Sequence, residues 1–396
     1  YRVSLDSISN LETVLGFEGI FSIEEAIPIR MDMDSIDDTL VPTTKHPVEG
    51  ETYPVVGVLD SGIEKNKYLS PWIFRAGEEY YEGQYQDKGH GTMVASVLEY
   101  SDELNGTDNA AATGVMMMDV VIVPDLRKET VYPEDIIDNV RDAIERHRDI
   151  KIWTVSVGTV EECAKKSFSQ YGIALDNIAD ENNVLIIKSA GNSNAFLHGD
   201  EHERITKMAD SVRALVVGSI AGEKGQYDIA EIDTPSPFTR CGPGPAYVIK
   251  PDLVAYGGNA GKCPDGTVTT TGVRVLDRAG MVARAPGTSF STPWIARIAA
   301  ELKHLLAEDF DPLLIKALMV HNAGYPAGQR MNMEDKVKFM GFGMPPGTRD
   351  ILYNSEHEIT LILRDSLPKS QFINILEFPF PKSLVRDDGF YHGQIT

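Results

Sequence analysis

The stretch Ala285–Pro286–Gly287–Thr288–Ser289–Phe290–Ser291–Thr292–Pro293 decides how this chain is read. It runs straight into Trp294–Ile295–Ala296–Arg297–Ile298–Ala299–Ala300–Glu301–Leu302, whose apolar residues fall on most faces of a helix and predict a buried one. Ser289 therefore sits where an extended loop turns into a helix, with free backbone N–H groups facing whatever binds there. Pro293 is expected in the first turn of that helix, where a missing N–H costs little. Taken alone, the stretch is an ordinary capped helix start, because Ser and Thr are ordinary N-cap residues. It gains chemical meaning only if partners for a serine nucleophile stand elsewhere.

Two stretches supply them. Tyr53–Pro54–Val55–Val56–Gly57–Val58–Leu59–Asp60–Ser61–Gly62–Ile63 reads as a buried parallel strand whose carboxyl end delivers a carboxylate. Ligand sites in open α/β sheets gather at that end of the strands. In isolation, Asp60 is equally a turn or capping aspartate. Thirty residues on, Lys88–Gly89–His90–Gly91–Thr92–Met93–Val94 opens a helix with a histidine between two glycines, which permit close approach of another group.

Between and beyond these stretches, strand and helix patterns alternate with short connections. Gly114–Val123, Ile150–Gly158, Val184–Lys188 and Val212–Ile220 read as strands, and Pro133–Arg146 and residues 168–182 as helices. The pattern predicts an α/β fold of three layers, a mainly parallel sheet between helices. Three parts are expected: an N-terminal extension over residues 1–50, the α/β domain over 51–346, and a small C-terminal β appendage over 347–396. In the appendage, Glu358–Arg364 and Gln371–Phe378 read as hairpin strands and the chain stops inside a further one.

Composition narrows the function classes. The formal charge of −22, from 37 basic and 59 acidic residues, argues against a nucleic-acid or anionic-membrane partner, both of which are bound through clustered Lys and Arg. It also sets a mild preference against acidic substrates. No run approaches the length of a membrane-crossing helix. Cys163, Cys241 and Cys263 form neither a disulfide framework nor a zinc signature, so free thiols are expected, with a Cys241–Cys263 bridge the one pairing left open. The aspartates of Met31–Asp38 lack the glycine and terminal glutamate of a calcium loop. No Gly-x-Gly-x-x-Gly or Walker loop follows the strands, which disfavours a nucleotide-binding protein.

Read together, Asp60 in Val–Val–Gly–Val–Leu–Asp–Ser–Gly, His90 in Gly–His–Gly–Thr and Ser289 in Gly–Thr–Ser–Phe–Ser–Thr–Pro resemble the subtilisin-like serine peptidases (subtilases), in that family's Asp–His–Ser order. Ser189–Ala190–Gly191–Asn192, Phe238–Pro243 and Lys250–Ala255 extend the resemblance over roughly residues 50 to 325. It implies a subtilisin-like fold and a serine endopeptidase acting through an acyl-enzyme intermediate. Ser289 would be the nucleophile, His90 the general base and Asp60 its orienting carboxylate. Asn192 and the Ser289 backbone N–H would form the oxyanion hole. Ser156–Val157–Gly158 would pair with extended substrate, and Ala190–Gly191 would line the first specificity pocket, sized for a large apolar or neutral side chain.

Met93, Phe290 and Tyr256–Gly257–Gly258–Asn259 depart from the usual family residues and mark a divergent branch. The second reading is a catalytically silent subtilase fold serving as a binding or regulatory module. The resemblance implies a polypeptide partner and no required cofactor. Structural calcium is common in the family, but no metal ligands can be assigned here. Residues 1–50 fit either the end of an inhibitory prosegment or a packed extension. Few cysteines and no leader pattern lean towards the cytoplasm, and the family's habit of export leans towards secretion.

Overall fold

Aliphatic, β-branched runs without polar alternation mark strands covered on both faces; six such strands and the half-exposed edge strand Ile73–Glu79 form one parallel sheet. The computed structural model describes residues 41–306, 309–353, 360–362, 366–374 and 382–390. In chain order, the sheet and its helices comprise β1 (Val55–Asp60), β2 (Ile73–Glu79), α1 (Gly89–Asn105), β3 (Met116–Val121), α2 (Pro133–Arg146), β4 (Ile152–Val155), α3 (Gln170–Asn182), β5 (Leu185–Ser189), β6 (Leu215–Ile220) and β7 (Leu253–Tyr256). Two antiparallel hairpins follow, β8 (Asn259–Lys262) with β9 (Val268–Thr271) and β10 (Val273–Leu276) with β11 (Val282–Ala285). The last of these strands leads into α4 (Thr288–Leu305).

The sheet order is β2-β3-β1-β4-β5-β6-β7, with every neighbouring pair parallel. On one side of β1 the chain steps outward through β4, β5, β6 and β7, while on the other β3 inserts between β1 and the edge strand β2. A crevice opens outside the carboxyl ends of β1 and β4, where such sheets bind ligands. One face packs α1 and α4 over a core that includes Val56, Val58, Val94, Leu98, Ile295 and Ala299. The other packs α2 and α3 over Leu59, Val120, Ile136, Val140, Trp153 and Leu175. This is the three-layer α/β arrangement expected from the alternating pattern.

The strands are shorter than their apolar runs, because pairing stops where the loops of the crevice begin. Cys163, Cys241 and Cys263 are all free, so the Cys241–Cys263 bridge is not made. Residues 1–40, including the acidic Met31–Asp38, lie outside the described residues. So do residues 354–359, 363–365, 375–381 and 391–396 of the C-terminal appendage. The described residues 360–362 and 371–374 carry no strand, and Thr348–Ile351 forms a single helical turn.

Two buried charged groups brace α4 and α1. Arg297 bonds Glu301 Oε1 (3.2 Å) and the carbonyls of Leu98 (3.0 Å), Glu99 (3.3 Å) and Ala112 (3.0 Å). Glu99, fully buried, accepts the Val115 N–H at 2.7 Å and lies 3.0 Å from the Lys45 ammonium. Burial raises the Glu99 pKa from 4.5 to about 7, against the opposing pull of Lys45 and Arg297. The folded chain thus holds this proton more tightly than the unfolded one. The associated stability is complete below pH 4.5 and is lost as pH rises through 7. Glu99→Gln does not titrate, so its unfolding free energy relative to wild type should improve by about 1–3 kcal/mol between pH 5 and pH 8. Urea unfolding at the two pH values measures the difference.

Candidate active site

Asp60 ends β1 and is fully buried. Its Oδ1 accepts the Ser61 N–H and meets His90 Nδ1, each at 2.7 Å. His90 stands in the first turn of α1, which is held close to the end of β1. The Gly91 N–H donates to Ser61 Oγ at 3.1 Å, and a Cβ at Gly91 would lie 2.4 Å from the Gly62 carbonyl oxygen. The flanking glycine therefore lets helix and strand end touch. Burial pulls the His90 pKa down, but the Asp60 charge and hydrogen bond outweigh it and lift the imidazole above its ordinary 6.5. The contact with Asp60 puts a proton on Nδ1 and leaves Nε2 as the basic nitrogen of the neutral ring.

The start of α4 brings Ser289 to the same crevice. Gly287, at φ +147°, makes the turn. Thr288 donates both its N–H (2.9 Å) and its hydroxyl (3.0 Å) to Asn192 Oδ1. With Oδ1 doubly occupied, the amide orientation is fixed and Nδ2 is the free, donating end. Thr288 was not singled out from the sequence; the signal was its place one residue before the candidate nucleophile.

Pro293 corrects the sequence expectation. It is the sixth residue of α4, not part of the first turn. Its missing N–H would otherwise have bonded the Ser289 carbonyl four residues back. The Ser156 hydroxyl takes that place, donating to Ser289 O at 3.1 Å. In return Ser289 Oγ donates to the Ser156 carbonyl at 2.9 Å. Among the described residues, no hydrogen bond joins Ser289 Oγ to His90. In a free site such bonds are commonly loose and tighten on the substrate.

His90, Ser156, Val157, Gly158, Gly191, Asn192 and Ser289 line one cavity of about 300 Å³. Ala190 does not. Its methyl packs with Cys163, Ile205, Ala209 and Val216 under the sheet edge, because alternate residues of an extended segment face opposite ways. Val157 and Gly158 make no backbone hydrogen bond among the described residues, so this edge is open to an extended chain. Arg240 and Glu203 also line the cavity, unforeseen from the sequence. Arg240 is 3% exposed and bonds the carbonyls of Asn192 (2.9 Å), Arg204 (2.9 Å) and Val160 (2.8 Å), and it pairs with Glu203 at 2.7 Å. No group of three His, Cys, Asp or Glu side chains among the described residues could hold a metal ion. No described helix is long and apolar enough to cross a membrane.

The profile of the subtilase family (Peptidase_S8) matches residues 52–343, most of the chain. The chain belongs to the subtilase family. This subtilase is 26% identical over 289 residues to the uncharacterized protein y4bN of Sinorhizobium fredii (strain NBRC 101917 / NGR234), an alignment covering 61% of this chain and 65% of that relative. The chain thus matches less than two thirds of the relative's length. Among solved structures, it is similar to the prenylagaramide maturation protease PagA, at 20% identity and a TM-score of 0.52, over 76% of this chain and 93% of that one. A mutant of the protease domain of PatA gives 18% identity and a TM-score of 0.51, over 77% and 98%. At such identities the likeness is one of fold, and the fold of this subtilase is subtilisin-like.

Replacing Asp60 by Asn removes the charge that lifts His90 and leaves burial to act alone. The His90 pKa, followed by NMR of the imidazole in wild type and Asp60→Asn, should fall in the variant. An unchanged value would mean that Asp60 does not control this ring.

Proposed function

We propose that this chain is a serine endopeptidase that hydrolyses peptide bonds through Ser289, His90 and Asp60. One observation carries the reading: the buried Asp60–His90 hydrogen bond opens onto a cavity that also holds Ser289 and the free amide end of Asn192. Membership of a peptidase family supports it.

A serine hydroxyl is a weak nucleophile at neutral pH and needs a base. His90 Nε2 takes the Ser289 proton as Oγ attacks the scissile carbonyl, then returns it to the leaving amine. Asp60 holds the ring in the required tautomer and stabilises the imidazolium. The developing oxyanion is met by Asn192 Nδ2 and by the Ser289 N–H at the start of α4, both fixed before reaction. Water then repeats the attack on the acyl-enzyme with His90 again as base. The substrate backbone lies along Ser156–Gly158 as an added strand, which provides affinity for any extended segment.

A silent binding module is the second reading, and the Ser289 hydroxyl resting on the Ser156 carbonyl is the observation in its favour. Rotation about one side-chain bond between staggered wells releases that hydroxyl. Labelling with a fluorophosphonate, followed by intact mass, separates the two. A single adduct on Ser289, absent from Ser289→Ala, is expected, and a folded chain that takes none is a silent module. In the active chain, Asn192→Ala should lower kcat by about 10²–10³ with little change in KM, by the loss of one oxyanion donor. A peptide-hydrolysis assay measures this.

A further inference from the structure

Resting on the peptidase reading, we propose that the slot between Gly158 and Gly191 accepts an acidic side chain, from the substrate residue preceding the cleaved bond, and that Lys188 is its counter-charge.

Lys188 belongs to β5, and its side chain is 0% exposed. Its ammonium donates to the Ser189 carbonyl (2.9 Å) and to Ser189 Oγ (3.0 Å), and among the described residues no carboxylate pairs with it. Two of its three N–H donors are used. The other fully buried lysine, Lys250, shows the usual solution, with Asp252 at 2.5 Å. An ammonium taken out of water without a counter-charge is costly, so its place in the fold needs a reason.

That place is directly behind the cavity wall. Ser189 and Gly158 both line the cavity. Gly158 lacks a side chain where an atom would lie 3.0 Å from Lys188 Nζ and 3.8 Å from Thr206 Oγ1. On the facing wall, the missing Cβ of Gly191 lies 3.3 Å from the same Thr206 oxygen. Thr206 Oγ1 is itself buried with no hydrogen-bond partner. Two glycines thus leave open a point flanked by an ammonium with an unused donor and an unpaired hydroxyl. A carboxylate has two oxygens that only accept, and so it suits this pair of donors.

The remaining charges leave the slot base positive. Glu203 reaches the cavity, but its carboxylate is paired with Arg240, three of whose other N–H groups go to backbone carbonyls. Burial alone brings the Lys188 pKa down to about 7, so the empty slot holds its charge loosely and an entering carboxylate restores it. The net charge of −22 slows the approach of acidic peptides, but it is spread over the chain and does not set the field inside the slot. This proposal replaces the apolar or neutral preference expected from Ala190–Gly191.

The test uses three fluorogenic peptides identical except for Asp, Asn or Leu before the cleaved bond. On the wild-type chain, kcat/KM should favour Asp over Asn by about ten- to a hundredfold, the worth of a hydrogen bond to a charged group. In Lys188→Met, which keeps most of the length of the side chain and removes the charge, the Asp-to-Asn ratio should fall to about one. A wild-type preference for Leu over Asp would overturn the proposal, as would an Asp preference undiminished in Lys188→Met. If no peptide is cut and no fluorophosphonate adduct forms, it is the peptidase reading that fails. Affinities of the Ser289→Ala chain for the same peptides then answer the narrower question. Tightest binding of the Asp peptide supports the acidic slot, and Asp no tighter than Asn removes it.

Discussion

A parallel sheet ends all its strands on one edge, and this constraint places the groups in the cleft. β1, β4 and β5 are neighbours, so Asp60, Ser156 and Ser189 emerge side by side at strand spacing. Everything else is brought to that row. α1 is held against the end of β1 by a glycine contact and presents His90, while α4 crosses under β4 to β7 and presents Ser289. Because the row is backbone-defined, its spacing depends little on side chains at the sheet edge.

The alternation of apolar runs and amphipathic stretches made the sheet and its covering helices readable, and Pro133–Arg146 was read with its observed ends. Such periodicity records burial, which sequence encodes directly. Asp60, His90 and Ser289 were legible through the pattern they share with the subtilase family, since each alone reads as an ordinary junction residue. Strand lengths were overread, since Val212–Arg213–Ala214 lie before the β6 ladder begins and Ser156–Val157–Gly158 after the β4 ladder has ended. β2 and the two hairpins escaped notice: β2 is partly exposed and broken up by charged residues, and each hairpin strand is only four residues long, too short to show a period.

The polar interior was not legible. Arg297 and Glu301 sit in a run that looks like an apolar helix with two solvated charges, yet both are buried and satisfied by partners nearly two hundred residues away. Arg240 and Thr206 are similar: nothing local says that one will lock the carbonyls of three loops and the other lack a partner. Lys188, in β5, reads from sequence as the end of an apolar strand, and its side chain only becomes informative once Gly158 is known to lie near it. Side-chain partnerships across the chain are products of topology, and periodicity carries no record of them.

The exchange of hydrogen bonds between Ser156 and Ser289 has a mechanical consequence. Ser156, at the start of the edge proposed to pair with substrate, and Ser289, at the head of α4, are stapled by two bonds of 3.1 and 2.9 Å, one of them standing in for a helical bond that Pro293 cannot make. On the proposed reading, a chain drawn along that edge pulls on the helix that carries the Ser289 hydroxyl. To turn towards His90, Ser289 Oγ gives up one bond of the staple, while the bond to its carbonyl holds the backbone in register. Track and tool are thus one machine part, and misalignment of one is carried into the other.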